Sequence, residues 1–410
     1  MNGQVMNRRE LLVGSAALAA AGTALAGTNA QAATAAKPAP AAPVSARPEQ
    51  AGVMLYVKVS GSDANAGTKD APLQTIVEAA KRVSAMEGTA PVTVIVSEGV
   101  HAIGAEAHFS PKNRTFTRTA RLTIRAEFLP DDPEWNVGRM PTLIHTLPLL
   151  PSWNGQPIPN GKTANGIVIG TSHVTIRGLK VLGTPVVETP VNGEVNRIYA
   201  IGRFDGTLDD LEISQCFFGG DEVTAPNHCP IIANGTGMVI DHCIFYRTKL
   251  AMVWWHVASK GHAMRNTIIH SCYQGGPWTA MLNSDFDFRN NVIAHCKNAW
   301  VQHAVGGVDR DAGAGGAPGA NGRGFAGAPG PTDGKYKIID SLFAANGRLA
   351  VSGTGSNLGF KDIPADFLTF VNSRVTDDPV RLIMDEWDRR YLHPMPGTEA
   401  AAVGAGLFMR

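Results

Sequence analysis

Apolar and polar positions along this chain recur with a period of 24. Ile240-Asp241-His242-Cys243-Ile244-Phe245, Met264-Arg265-Asn266-Thr267-Ile268-Ile269 and Phe288-Arg289-Asn290-Asn291-Val292-Ile293 align without a gap, with apolar residues in the first, fifth and sixth columns. Ile213 to Phe218 and Ile338 to Phe343 fit the same columns, and Ile176 to Val181 fits more weakly. A fixed period of this size predicts a solenoid of stacked coils. Residues in one column then become neighbours on adjacent coils, ~4.8 Å apart. Each unit reads as an alternating pair, a polar kink and two apolar residues. Asn266, Asn290 and Asn291 fall at the kink, where asparagine tolerates left-handed backbone angles and can share amide hydrogen bonds between coils.

Before the repeat, Leu55 to Val59 alternates as a strand, and Gly61 to Thr68 is a dense turn cluster. A helix is expected from Pro72, with Ile76, Ala79, Ala80 and Val83 on one face, followed by a buried strand at Val92 to Val96. Such a helix would cover the open end of the first coil, which otherwise exposes an unpaired strand. Between the third and fourth clean units lies a Gly-rich, aperiodic insertion, residues 306–334, read as a long surface loop or lid.

These opening residues carry a resemblance. Tyr56-Val57-Lys58-Val59-Ser60-Gly61-Ser62-Asp63-Ala64-Asn65-Ala66-Gly67-Thr68, with Pro72, Thr75-Ile76 and Val94-Ile95-Val96-Ser97-Glu98-Gly99-Val100-His101, resembles the start of secreted, pectate-lyase-like, right-handed parallel β-helix proteins. His393-Pro394-Met395-Pro396-Gly397-Thr398-Glu399 through Gly406 is similar to their closing segment, with Thr398-Glu399 where Ser-Pro is usual. The resemblance implies an all-β fold over residues 53–410, a right-handed parallel β-helix solenoid with an N-terminal capping helix. It implies no single reaction, since the superfamily holds lyases, glycoside hydrolases, epimerases and non-catalytic adhesins.

Composition narrows the partners. The 410 residues carry a net charge of +1, which argues against nucleic acid or an anionic membrane as partner. Arg8-Arg9 ahead of an Ala-rich apolar run reads as a twin-arginine signal over residues 1–32, with residues 33–52 as an Ala/Pro-rich linker. A periplasmic or secreted monomer is expected. Cys216 and Cys243 share one column, and Cys272 and Cys296 another. Packed thiol ladders are expected there, because the coil spacing exceeds disulfide geometry.

The polar columns hold the candidate chemistry. Glu222, Lys249, Tyr273 and Lys297 share one column, Arg247, Ser271 and His295 another, and Tyr246 and His270 a third. Further on, Trp254 is expected to stack on Trp278, and Trp255 beneath Thr279 and His303. The leading expectation is a polysaccharide lyase that cleaves a uronate-containing polymer by β-elimination. A cation must neutralise the carboxylate, a base must take the adjacent proton, and an acid must serve the leaving oxygen. Lys249 is the expected base, its proton affinity lowered by stacking against Lys297 through Tyr273. Arg247 and Arg265 are expected to bind the carboxylate, with His256, His270 or Tyr273 as acid. Trp254, Trp255, Trp278, Lys297, His295, His303 and Arg289 complete the expected substrate surface. Asp241 and Arg265 are expected to form a cross-coil ion pair.

Two alternatives remain at this level. A glycoside hydrolase would use Asp221 with Glu222, or Asp285 with Asp287. A glycan-binding surface protein would need aromatics but not the mixture of lysine, tyrosine and histidine. No cofactor is required by this reading. Calcium stays open, with Asp221, Glu222 and Asp241 as oxygen donors.

Overall fold

The computed structural model describes residues 52–409 apart from 154–155, 158–160, 184–194, 223–227, 255–258, 280–284, 304–335, 355–357 and 364–366. The segment read as a signal, most of the segment read as a linker and the Gly-rich insertion lie outside the described residues.

The chain winds through three sheets in turn. The first wall has 10 strands, from Val53–Val57 through Met238–Asp241, Ala263–Arg265 and Asp287–Arg289 to Leu368–Val371. The second has 9, including Ile244–Tyr246, Ile268–His270 and Val292–Ala294. The third also has 9, from Ala107–Phe109 through His228–Ala233, Met252–Val253, Pro277–Thr279 and Asn298–His303 to Leu358–Asp362. Neighbouring strands in these walls pair in parallel except the last pair of the third wall, where Arg348–Thr354 meets Leu358–Asp362 antiparallel. This is an all-β, right-handed parallel β-helix.

Why the coil turns where it does is visible residue by residue. Between the first and second walls, Gly178, Gln215, His242, Asn266, Asn290, Asp340 and Asn372 all have φ between 47° and 75°. Asn266 and Asn290 behave as the kink residues the repeat predicted. The next position carries a polar ladder inside the helix. Thr267 Oγ1 accepts from Cys243 N (3.3 Å), Asn291 Oδ1 from Thr267 N (2.9 Å), Ser341 Oγ from Asn291 N (3.0 Å) and Ser373 Oγ from Ser341 N (3.0 Å). Each side chain thereby satisfies a buried backbone donor of the preceding coil.

A second left-handed corner follows the second wall, at Arg247, Ser271, His295 and Ala345, with φ from 49° to 58°. Its interior ladder is Thr248, Cys272, Cys296 and Asn346, with Thr248 Oγ1 3.3 Å from Cys272 Sγ and Asn346 Oδ1 accepting from Cys296 N at 2.9 Å. All five cysteines are buried, four of them in these two ladders as their columns predicted.

The N-terminal end is capped, and the C-terminal segment covers one wall. The N-terminal helix runs Ile76–Ala85, later than the Pro72 start, because Thr75 is its cap and accepts from Glu78 N. Asp63 in turn accepts from Thr75 N and Thr75 Oγ1, both at 2.8 Å. Ile76, Ala79, Ala80 and Val83 are buried, as the periodicity required. At the other end, residues 377–409 lie over the outer face of the second wall. Val380, Leu382, Leu392, Ala405 and Leu407 pack there with Phe217, Ile244, Ile268 and Val292.

Candidate functional site

The columns of the repeat are real neighbours, but the two corners point them in different directions. The residues singled out from the sequence therefore divide among three walls and the interior.

Arg265 and Arg289 stand on the outer face of the first wall, one strand apart. Asp287 lies between them. Its Oδ2 accepts from Arg265 Nε (2.8 Å) and its Oδ1 from Arg289 Nε (2.6 Å). The expected Asp241–Arg265 pair is replaced by this arrangement. Asp241 sits opposite Arg265 in the ladder but accepts from Asn266 Nδ2 at 2.8 Å instead. With both oxygens held by arginines, Asp287 cannot serve as a general acid. Asp285 Oδ2 accepts from Gly261 N at 2.7 Å. The Asp285–Asp287 hydrolase pair is thus taken up in structure.

His270 and His295 are on the second wall, their rings 4.7 Å apart and tilted by 46°, and are covered by the C-terminal segment. His295 Nε2 accepts from Val380 N at 3.0 Å, and His270 Nε2 is 3.3 Å from Val380 O. His270 also pairs through Nδ1 with Ser271 Oγ at 2.8 Å, and burial pulls its pKa down to about 4. Neither ring faces a polymer surface, so the roles expected of them as acid and as substrate contact are not supported by their placement.

Trp254 and Trp278 do not stack. Val253, not Trp254, pairs with Trp278. The cause is one extra residue. Gln274 N and Gly275 N both donate to Lys249 O, at 3.0 and 3.1 Å, so two residues oppose one and the local step becomes 25. A one-residue slip reverses which face a side chain meets. Trp254 is fully buried in the interior, edge-on to Phe286 at 4.7 Å and His262 at 4.9 Å. Trp278 is 3% exposed in an outer apolar cluster with Ile232, Val253, Val301 and Val351, with Phe360 edge-on. Neither indole offers a free face for a sugar ring. Trp255 and His256 lie outside the described residues, as does the side chain of His303.

What remains together is the corner where the second wall turns into the third. Arg247 is half-exposed, and its Nη2 is 2.8 Å from Asp221 Oδ2. Lys249, two residues on, is only 5% exposed. Tyr273 N donates to Thr248 O and Lys297 N to Cys272 O, both at 3.1 Å, with the same offset as the regular coils, so the backbone keeps Lys249, Tyr273 and Lys297 in one column and the slip begins only at Gly275. On the other side Lys249 N donates to His228 O at 2.9 Å. The row continues through Asn298, whose Nδ2 donates to Gln274 O, to Arg348, whose Nε donates to Asn298 Oδ1 at 2.9 Å. Tyr273 is half-buried beside this row and Lys297 is exposed. Coil contact is close here: a Cβ on Gly220 would sit 2.7 Å from Arg247 O. The corner therefore joins a half-exposed guanidinium to a buried amine within one turn.

Asp241 is on the first wall and Asp221 at this corner, so the calcium donors read from the sequence are not brought together. Among the described residues no group of three or more His, Cys, Asp or Glu side chains could hold a metal ion.

The sequence reading missed one polar group altogether. Glu106, His108 and Asn165 meet at the first strands of the third wall, with His108 Nε2 2.7 Å from Glu106 Oε2 and Asn165 Nδ2 donating to Glu106 Oε1 at 2.7 Å. The repeat is weak between residues 100 and 210, so these residues could not be placed side by side.

No family model matches this chain, and no curated protein sequence matches it. Solved structures do. A rhamnogalacturonan lyase aligns at 13% identity over 87% of this chain and 100% of its own, with a TM-score of 0.45. A GH136 lacto-N-biosidase from Eubacterium ramulus aligns at 10% identity over 79% and 68%, with a TM-score of 0.40. Pectate lyase Pel9A aligns at 11% identity over 84% and 90%, with a TM-score of 0.36. The likeness is one of fold. Three parallel walls, two left-handed corners and a helical cap give the chain the parallel β-helix fold that the opening and closing segments implied.

Proposed function

We propose that this protein acts on polysaccharide, and that it is a lyase cleaving a uronate-containing polymer at the corner formed by Arg247 and Lys249. The observation that carries the reading is the burial of Lys249 two residues from the half-exposed Arg247. Removing an amine from water disfavours its charged form, which is what a proton acceptor requires. A guanidinium presented beside it matches a carboxylate in charge and in planar geometry. In β-elimination, Lys249 would take the C5 proton of the uronate while Arg247 neutralises the carboxylate. The C5–H electron pair becomes the C4–C5 double bond, the C4–O bond breaks, and the leaving oxygen is protonated by Tyr273 or by water. Lys297, exposed two coils beyond Lys249, would meet a further carboxylate of the polymer.

The hydrolase reading is less favoured, because Asp287 is held between two arginines and Asp221 by a third. A purely adhesive role has no use for a buried lysine at an open corner. We read Arg8-Arg9 and the following apolar run as an export signal, which would bring the enzyme to its polymer. No helix among the described residues is long and apolar enough to cross a membrane.

The test is direct. The mature chain is incubated with anionic and neutral polysaccharides, and the ultraviolet absorbance of an unsaturated uronate is followed alongside reducing ends. Absorbance that disappears in Lys249→Ala, with the melting transition retained, supports the reading. Reducing ends without absorbance would point to hydrolysis, and full turnover in Lys249→Ala would remove the proposed base.

A further inference from the structure

The Glu106–His108–Asn165 group has the construction of a prepared ligand site, at the N-terminal edge of the third wall, whereas the Lys249 corner adjoins its middle strand. His108 lies on Ala107–Phe109, the edge strand of that wall. Its ring is 47% exposed, whereas the carboxylate that holds it is 28% exposed. The backbone beneath the ring is fixed. Ser84, at the end of the capping helix, donates through Oγ to His108 O (2.8 Å) and accepts from Ser110 N (2.9 Å).

The orientation chain runs inward from the ring. His108 Nε2 is bound to Glu106, and Glu106 is bound to Asn165, which is 1% exposed. Asn165 Oδ1 has no hydrogen-bond partner. A buried acceptor left in that state costs about 1–3 kcal/mol. The amide nevertheless faces its NH2 toward Glu106, because the reverse orientation would set an oxygen against a carboxylate. Asn165 therefore sacrifices one of its own hydrogen bonds to hold Glu106, and Glu106 to hold an exposed ring. Structure alone needs no such arrangement at an edge strand.

The chain also fixes the ring's chemistry. Glu106 is held below the usual carboxylate range, first by its hydrogen bond from His108 and then by that from Asn165. An ionised carboxylate only accepts, so the proton of the neutral imidazole must sit on Nε2. Nδ1 is then a bare acceptor, and it makes no hydrogen bond among the described residues. We propose that Glu106, His108 and Asn165 form a second carbohydrate-binding site, in which His108 Nδ1 accepts a hydroxyl from a neutral sugar, Glu106 sets the tautomer and Asn165 positions Glu106. The negative charge on Glu106 makes the site unfavourable for a uronate, so it would select a neutral residue of the polymer.

The site goes beyond the Lys249 reading and is tested at His108 itself. In the mature chain with 15N-labelled histidine, the His108 ring nitrogens are followed while a neutral hexose oligosaccharide, or the uronate oligosaccharide of equal length, is titrated in at neutral pH. The proposal expects the Nε2–H tautomer and a saturable shift at Nδ1 with the neutral sugar. Binding of the uronate should be about tenfold weaker, the effect of a like charge a few ångströms away in partly screened surroundings. Glu106→Gln should close that gap, and His108→Ala should abolish binding of the neutral sugar, read by calorimetry, without moving the melting temperature. Equal or tighter binding of the uronate, no saturable shift with either sugar, or a proton on Nδ1 would each overturn the proposal. Loss of turnover in Lys249→Ala would leave it untouched.

Discussion

Two tryptophans 24 positions apart show what a single residue decides here. Trp254 fills the interior and Trp278 an outer apolar cluster, because the turn at Gln274-Gly275 adds one residue to the coil. Trp254→Ala should cost about 3–5 kcal/mol of stability, the usual penalty for emptying a large buried aromatic site. Denaturant unfolding would measure it, and a binding defect without a stability loss would contradict the interior placement. Asn291 is a second such residue. Its Oδ1 accepts from Thr267 N and its Nδ2 donates to Met264 O at 2.8 Å, both fully buried. Asn291→Ala leaves a buried donor and a buried acceptor unpaired, so a loss of roughly 2–5 kcal/mol is expected in the same experiment. By contrast, Arg247→Ala should change stability by less than about 1 kcal/mol, since its ion pair with Asp221 is half in water. Under the proposed function it should nevertheless raise KM for an anionic polymer, seen in initial-rate kinetics at low salt. The apolar columns and the kink asparagines were readable in the sequence because the same physical demand recurs at each coil. The direction of Trp254, His270 and Lys249 was not, because a fixed period carries no information about an extra residue or about what covers a wall.

At the scale of elements, the corners carry the architecture. Seven kink residues between the first and second walls share left-handed angles, and after four of them the side chains of Thr267, Asn291, Ser341 and Ser373 each accept from a backbone N–H of the preceding coil. The bend is thus paid for locally, one coil at a time. Close packing at the second junction leaves no room for a side chain at Gly276, where a Cβ would lie 2.3 Å from Ala299 O. Gly276→Ala should therefore cost about 1–3 kcal/mol, since the clash is with backbone that cannot rotate away. Thermal unfolding would read the loss, and an unchanged transition would mean the coils can separate there. The capping helix was legible from its apolar face. Its start was not, because Thr75 and Asp63 compete with Pro72 to set the boundary through hydrogen bonds that residue spacing does not reveal.

For the whole molecule, the interior is unusual in holding histidine. Burial pulls His145 and His270 down to about 4 and His228 and His262 to about 3. An unfolded histidine titrates near 6.5, so between the two values the unfolded chain binds more protons than the folded one. Stability is therefore fully present above about pH 6.5 and is lost as pH falls toward 4. Each group contributes roughly 3 kcal/mol over that interval. The melting temperature should fall steeply below about pH 5.5, and His270→Gln should flatten the slope. A melting temperature independent of pH over that range would show that these rings reach water more easily than their burial implies.

The segment over the second wall has a consequence for how the molecule comes apart. Arg389 donates to the carbonyls of Pro130, Asp132 and Pro133, Gln215 Nε2 to Leu407 O, Gly406 N to Asn266 O, and Val380 N to His295. Stacked coils that touch only their neighbours can unzip from either end, their stability a running sum along one axis. Here the last stretch of chain reaches back across coils that are far apart in sequence and fastens them as a splint does a row of slats. Fraying at the C-terminal end must first lift that splint, and lifting it loosens every coil beneath. The consequence is a single sharp transition in place of a progressive one, and a chain that cannot complete its fold until its final residues are in hand.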